Sequence, residues 1–228
     1  MVRPKRGKRS REAESEDGVP TPVAKKVAAA AAKKMDYSCW LIKSEPESRL
    51  EKGVDVKFGL EDLKKEPDQT AHWDGVRNYL ARNYMMAMKV GQKSFFYHSN
   101  TKVPGIAGGC WSLFFFFKHR VFTWTFLGLV EIVKEYYVDH TQFDKKDPHF
   151  DPKSSKDKPK WYMVDVKYVR DLKRYISLPE LKALHLEHKT KGGPLAKLAM
   201  FTSARLSVQP LTEEEFEYIL SLEKEVKK

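Results

Sequence analysis

Three short stretches of the sequence place aromatic rings beside hydroxyl, amide and cationic side chains. They are WLIKSEPES (residues 40–48), WDGVRNYLARN (73–83) and FFYHSN (95–100). A site that binds a nucleobase needs these types together, because rings hold the faces of the base, polar groups meet its edge and cations meet the flanking phosphates. The base must also leave its stack to be read alone. These three stretches contain the residue types that such a site requires.

The candidate residues fall into two groups. Aromatic, apolar and polar side chains are expected to surround the base, and cations are expected to touch phosphates. The predicted nucleobase-binding residues are Trp40, Ser44, Trp73, Val76, Asn78, His98, Ser99 and Trp161. The predicted phosphate-binding residues are Lys43, Arg77, Arg82 and Arg205.

Each candidate also has a structural interpretation. Trp40 and Trp161 are as consistent with the core as with a pocket, since tryptophan is highly buried on average. Tyr97, a further candidate wall, and His98 point to opposite faces of one strand, so at most one faces a cavity. Arg77 could instead pair with a nearby carboxylate, Asp74 or Glu45.

Trp73 and Asn78 are the strongest candidates for direct contact. WDGVRN combines an aromatic ring, a glycine and an amide at a predicted helix start. Such a start offers free backbone N–H groups to an anion.

An acidic, histidine-containing segment raises the alternative of an enzyme. DHTQFDKKDPHFD (residues 139–151) contains His140, Asp144, Asp147, His149 and Asp151. The spacing matches no metal-ligand signature, and nearby prolines indicate a loop. The sequence has no nucleophile elbow, P-loop or dinucleotide fingerprint. We therefore expect a flexible acidic loop, no cofactor, no metal and no enzymatic activity.

Charge points to a polyanionic partner. The chain has 228 residues, a net charge of +11 and a pI of about 9.4, which favour nucleic acid over an acidic membrane. Residues 1–34 carry +6 and no aromatic residue, so we predict a disordered tail there. Residues 35–228 are then a mildly basic domain. A basic cluster in the tail predicts nuclear import, through Lys5, Arg6, Lys8, Arg9 and Arg11.

Two cysteines, Cys39 and Cys110, form neither a disulfide framework nor a zinc site, so a reducing compartment is expected. No secretory signal is visible at the N-terminus. No heptad pattern supports a coiled coil, and we expect a monomer.

Strand and helix signals alternate without regular βαβ spacing, which predicts an α+β fold around a mixed sheet or barrel. SCWLIKSEP, KSFFYHS, WYMVDVKYVRDL and RLSVQPL are predicted strands. GLEDLKKEP is a predicted short helix, and GVRNYLARNYMMAMKVG a longer one. The longer helix is expected to bury a stripe at four-residue spacing, formed by Val76, Leu80, Tyr84 and Met88. SLPE (177–180) and TEEE (212–215) predict helix caps.

Residues 109–128, GCWSLFFFFKHRVFTWTFLG, do not fit this pattern. Without them the sequence reads PGIAGLVEIVKEYYVD, which predicts one continuous strand. A membrane span is disfavoured, because Lys118, His119 and Arg120 lie in the middle, and each Lys or Arg there costs roughly 2.5–3.5 kcal/mol. We hypothesise a short in-frame intron retained in the coding sequence, or a rare isoform. A membrane-associated finger is the alternative.

The motifs together resemble the EVE domain family. Besides the three opening stretches, they are GIAG (105–108), HTQFD (140–144), WYMVDV (161–166) and MFTSARLSVQPLT (200–212). The resemblance covers nearly everything from Tyr37 onward. The Phe-rich segment is the clear departure, because the family pattern runs from the glycine-rich start directly into the next strand.

The resemblance implies a PUA-like fold, a small mixed β-barrel flanked by helices. It also implies a nuclear reader of modified nucleobases, with methylated or oxidised cytosine in DNA, such as 5-hydroxymethylcytosine, as ligand. Within the site it favours His98 together with Ser44. The alternative is a PUA-type module that recognises modified RNA through the same pocket.

Overall fold

The computed structural model describes residues 37–100, the backbone of 105–106, and residues 128–224. The predicted disordered tail, its five nuclear-import residues and most of the Phe-rich segment lie outside these residues. Predictions about them are therefore untouched by the structure.

The described residues form ten strands. They are β1 Cys39–Ser44, β2 Leu50–Glu51, β3 Val54–Asp55, β4 Thr70–Trp73, β5 Lys93–His98, β6 Gly105–Ile106, β7 Gly128–Val138, β8 Tyr162–Asp171, β9 Ile176–Ser177 and β10 Val208–Leu211.

Five α-helices and four 3-10 helices accompany these strands in the described part of the chain. The α-helices are α1 Leu60–Leu63, α2 Tyr79–Ala87, α3 Leu178–Lys191, α4 Ala199–Thr202 and α5 Glu213–Ser221. The 3-10 helices are Pro67–Gln69, His140–Phe143, Pro194–Lys197 and Leu222–Lys224.

The main sheet has the order β10-β1-β5-β7-β8-β4, with β6 paired to β5 and β9 paired to β6, while β2 and β3 form a separate hairpin. Among the described strands only β1 and β5 pair in parallel. The sheet is therefore mixed, and with its flanking helices it confirms the α+β prediction. The predicted strands all form.

Strand β5 lies at the centre of the core, because both of its faces are covered. Phe95 stacks on Phe216 of α5 with ring centroids 4.4 Å apart. Phe96, which points the opposite way, meets Trp73 edge to face at 5.5 Å. Both phenylalanines are fully buried. This packing fixes the position of the strand that ends at His98.

The predicted buried stripe of the longer helix is wrong at Leu80, while Val76 is buried as predicted but lies before the helix. Asn78 caps the helix, so α2 begins at Tyr79 and Val76 precedes it. Ala81 and Met85 are buried, whereas Leu80 is 42% exposed. The cap sets the phase of the helix, and spacing alone does not reveal it.

The two predicted helix caps are present. The Ser177 hydroxyl accepts from the Glu180 amide at the start of α3. At α5, Thr212 and Glu215 each accept a hydrogen bond from the other's backbone N–H.

Strands β6 and β7 both pair antiparallel with β5, and their registers nearly match those of one continuous strand. Leu129 lies opposite Phe95, and Gly105 lies opposite His98. If residues 109–128 were absent, counting back from Leu129 would place residue 106 opposite His98. The observed partner is one residue away, a difference that one β-bulge absorbs. This geometry supports the hypothesis that residues 109–128 interrupt a single strand.

No helix within the described ranges is long and apolar enough to cross a membrane.

Candidate nucleic-acid interface

Ser44 and His98 end the two parallel strands at the same level. They are direct partners in the β1–β5 register, so their side chains share one face of the sheet. Both are buried, at 7% and 4% exposure. The structure therefore brings together the two residues that the family resemblance favours. We call them the strand-end pair.

The His98 ring is held in one tautomer. Its Nε2 accepts a hydrogen bond of 3.2 Å from the Leu60 amide at the start of α1. Burial lowers the pKa of His98 to about 4, although the Asp62 carboxylate opposes this, so the ring is neutral at pH 7. Because Nε2 is the acceptor, the proton lies on Nδ1. Nδ1 is therefore a hydrogen-bond donor.

The donor on His98 and the hydroxyl of Ser44 have no hydrogen-bond partner within the described part of the chain. An unpaired buried polar group costs roughly 1–3 kcal/mol. Since folded proteins pair nearly all such groups, two neighbouring exceptions point to a ligand that completes them.

Ser99 supports the strand end. Its amide and its hydroxyl both donate to the Ser44 carbonyl, at 2.8 and 3.0 Å. The hydroxyl proton is thus engaged, and its contact with a base remains a prediction.

An aromatic cluster connects the strand-end pair to the WDGVRN segment. Phe96 contacts His98 at 5.7 Å and Trp73 at 5.5 Å, and Phe58 packs against both Phe96 and Trp73. Trp73 and Val76 are only 7% and 6% exposed. Trp73 lies in the packing beside the strand-end pair, and Val76 belongs to the hydrophobic core. Their direct contact with a base remains a prediction.

Arg77 anchors its own loop. Its guanidinium donates to the fully buried Asp139 carboxylate at 2.7 Å, to the Thr141 hydroxyl and to the His149 carbonyl. Although burial opposes ionisation, hydrogen bonds from Thr141 and Arg77 hold the pKa of Asp139 below its usual value. Asp139 replaces both predicted partners, Asp74 and Glu45. These contacts give Arg77 a structural role, and its binding of phosphate remains a prediction.

Position 75 requires a glycine. Its φ is +70°, and a Cβ there would lie 2.9 Å from the His149 ring. Its amide also donates to Asp139. The glycine of WDGVRN therefore shapes the loop around the buried ion pair.

Asn78 is exposed, but its side-chain oxygen is occupied. It accepts from the amides of Leu80 and Ala81, at 2.9 and 3.2 Å, and so caps α2. The capping role is a structural function that the motif reading did not assign.

The side chain of Lys43, on β1, reaches the turn that contains Arg205. The Lys43 ammonium donates to the Ala204 carbonyl at 2.9 Å, and Arg205 is exposed beside it. Burial lowers the pKa of Lys43 to about 8. Lys43 also lies over the Tyr97 ring at 5.8 Å. The pair remains a predicted phosphate contact.

Trp40 does not line a surface. It is fully buried, and its indole N–H donates to the Gln92 side chain at 2.8 Å. This burial favours the core interpretation of Trp40, and its contact with a base remains a prediction. Strand β1 lies between β10 and β5 in the sheet, which accounts for the burial.

Trp161 and Arg82 form a second cluster with a residue that the sequence analysis did not select, Tyr79. Tyr79 stacks on Trp161 at 4.7 Å, and the Arg82 guanidinium lies 4.9 Å from the Tyr79 ring. Arg82 also donates to the Lys160 carbonyl, and burial lowers its pKa. The position of Tyr79 beside the Asn78 cap was the available sequence signal.

The acidic segment is organised by hydrogen bonds within itself. Asp144, Asp147 and Asp151 each accept from a backbone amide two residues on. No group of three potential metal ligands occurs among the residues that the structure describes. The expected flexible loop is in fact a turn-rich segment that contains the 3-10 helix His140–Phe143.

The sequence profile of the EVE domain matches residues 38–110 and 112–222. The chain therefore belongs to the EVE domain family.

Curated relatives and solved structures agree with this assignment. Thymocyte nuclear protein 1 of Danio rerio is 63% identical over 84% of this chain and 74% of the relative. The Homo sapiens protein of that name is 59% identical over 82% and 74%. The crystal structure of human THYN1 in complex with 5-methylcytosine containing DNA superimposes with a TM-score of 0.74 and 57% identity, over 83% of this chain and 99% of that one.

Proposed function

We propose that this protein is a non-enzymatic nuclear reader that binds DNA carrying methylated or oxidised cytosine. The observation that carries the proposal is the strand-end pair, with two adjacent buried polar groups that have no partner among the described residues. The similarity to a human protein bound to 5-methylcytosine containing DNA supports it. Nuclear location is supported by the names of the relatives and by the basic tail.

In this proposal the base leaves its stack and its polar edge reaches the strand-end pair. The neutral His98 donates from Nδ1 to an acceptor on the base. The Ser44 hydroxyl donates or accepts beside it. The aromatic cluster behind His98 holds the ring in one orientation, which restricts the edge that the site accepts. Phosphates on either side meet exposed cations such as Arg205.

The expected discrimination is modest. A methyl group buried in a fitted slot contributes roughly 0.8 kcal/mol, which gives a few-fold preference. A hydroxymethyl group that gains a hydrogen bond adds roughly 0.5–1.5 kcal/mol. Affinity should fall steeply with salt, because phosphate contacts release counterions.

The test compares matched duplexes that carry cytosine, 5-methylcytosine or 5-hydroxymethylcytosine at one position, with fluorescence anisotropy at two salt concentrations. Ser44→Ala removes a hydroxyl that has no partner, so the domain should stay folded while the preference for the modified base is lost. Ser94→Ala is the matched control, because Ser94 is also buried but bonds the Phe95 carbonyl. Equal binding of all duplexes by the unaltered protein contradicts the proposal.

Modified RNA is the second candidate ligand, since the PUA-like fold is shared with RNA-binding modules. RNA and DNA oligonucleotides of one sequence, each with the same modified base, separate the two. If the RNA binds more tightly, the ligand is modified RNA and the proposed site is unchanged.

A further inference from the structure

An exposed aromatic surface lies at the start of α2. Tyr79 stacks on Trp161 with centroids 4.7 Å apart and an interplanar angle of 27°. Trp161 is buried, and its indole N–H donates to Asp151 at 2.7 Å, so the lower ring is fixed. Tyr79, in contrast, is 55% exposed. We call Tyr79 and Trp161 the outer platform.

The outer face of Tyr79 is not covered by the neighbouring cation. The Arg82 Cζ lies 4.9 Å from the Tyr79 ring and 6.0 Å from the Trp161 ring. If Arg82 lay on the far face of Tyr79, its distance from Trp161 would approach twice the stacking distance. Arg82 therefore does not lie on the far face of Tyr79, and it can meet a phosphate without blocking that face.

A basic loop, residues 151–160, is attached beside this platform at both ends. Asp151 holds the Trp161 indole, and the Lys160 carbonyl accepts from Arg82. Between these two anchors Lys153, Lys156 and Lys158 are exposed. A stacking face with cations at its border matches the way proteins bind unpaired nucleotides.

We propose that the outer platform binds a second, unstacked base of the nucleic acid, with the basic loop on its phosphates. This inference rests on the proposed function and extends it, because it assigns a binding site to a nucleotide near the base that is read. The platform shares no residue with the strand-end pair. Its ligand is any unpaired nucleotide, since every base has a face to stack.

The test uses an unmodified single-stranded oligothymidine with a fluorescent label. The full-length protein should bind it, and Tyr79→Ala should weaken binding about tenfold. Tyr79→Phe, which keeps the ring, should bind as the unaltered protein does. Val90→Ala is the control, because Val90 is exposed to a similar degree, at 57%. Thermal melting checks that each variant is folded.

Removing charge from the basic loop tests the phosphate contacts. Lys153, Lys156 and Lys158 replaced together by Ala should reduce the salt dependence of binding, by about 0.7 in the log–log slope for each phosphate lost. The same change at Lys182, Lys189 and Lys197, which are exposed elsewhere, should leave the slope unaltered.

Tyr79→Ala should weaken binding of plain and modified oligonucleotides alike, whereas Ser44→Ala should remove the preference for the modified base, which separates this inference from the proposed function. If Tyr79→Ala binds oligothymidine like the unaltered protein, or Val90→Ala loses as much, the platform is not a binding site. If Tyr79→Ala loses oligothymidine binding but the unaltered protein does not discriminate between modified and plain cytosine, the platform is a binding site and the proposed reading of the modified base is wrong.

Discussion

Arg77 and Asp139 form an ion pair whose carboxylate is fully buried, 62 residues apart in the sequence. The pair holds the WDGVRN loop against the segment that begins at Asp139, with Gly75 and Thr141 as further partners of the carboxylate. The family motif that first indicated phosphate binding is thus partly structural.

Replacing Arg77 by Ala should destabilise the domain by about 3–5 kcal/mol, since it leaves the Asp139 carboxylate buried and unpaired. Urea denaturation followed by tryptophan fluorescence measures the change. Arg205→Ala, at an exposed position, should stay within about 0.5 kcal/mol of the unaltered protein. A stable Arg77→Ala variant that has lost DNA binding would instead identify Arg77 as a phosphate contact.

His98 should make the fold sensitive to acid. Its pKa is lowered from 6.5 to about 4 by burial, so the unfolded chain binds more protons between these values. The contribution of neutral His98 to the free energy of unfolding is complete above pH 6.5. It falls by up to about 3 kcal/mol as the pH falls towards 4. Other groups also titrate there, so the difference in unfolding free energy between the protein and His98→Gln isolates this effect. A pH-independent difference would show that His98 is not neutral by burial.

Lys43 should lose its charge at moderately alkaline pH. With a pKa of about 8, it is mostly neutral at pH 9 and cannot attract phosphate. The salt dependence of DNA binding should therefore be weaker at pH 9 than at pH 7, by up to about 0.9 in the log–log slope. Lys43→Ala should abolish this pH effect. An identical pH effect in Lys43→Ala would exclude Lys43 from the interface.

Deleting residues 109–128 should leave a folded domain. The deletion joins Gly108 to Leu129. The pairing of β6 and β7 with β5 then differs by only one residue from the pairing of a single continuous strand. Removing the insertion also lowers the entropic cost of bringing the two strand segments together. Circular dichroism melting should show an equal or higher Tm for the shortened protein.

A glycine–serine replacement of residues 109–127, at equal length, is the matched control for that deletion. Gly128 is kept because a Cβ there would lie 2.4 Å from the Arg170 carbonyl oxygen. If both variants fail to fold, the aromatic segment is needed for the domain. Sequencing the transcript across the codons for Gly108 and Leu129 tests the intron hypothesis separately.

Much of the fold could be predicted because local signals agree with the final packing. Strand β8 forms where WYMVDVKYVRDL predicted a strand, with Val164 and Val166 buried, and Thr212 and Glu215 form the predicted cap. The phase of α2 was missed, since the Asn78 cap shifts the helix start by three residues from Val76. A cap depends on the conformation of one side chain, and the spacing of apolar residues does not show where the cap lies.

The site was harder to predict than the fold. Ser44 and His98 could be paired through the family resemblance, and the structure places them side by side. The burial of Trp40 and the partner of Arg77 follow from long-range contacts, which composition and spacing do not reveal. Tyr79 was missed because a tyrosine at a helix start is equally consistent with packing or exposure.

The most direct measurement is NMR of the His98 imidazole during titration with a duplex that contains one 5-methylcytosine. We expect the Nδ1 proton to shift as the base reaches the strand-end pair, and the Nε2 signal to remain that of an acceptor. The same duplex with Ser44→Ala should give a smaller shift. DNA binding that leaves the His98 resonances unchanged would contradict the proposed site.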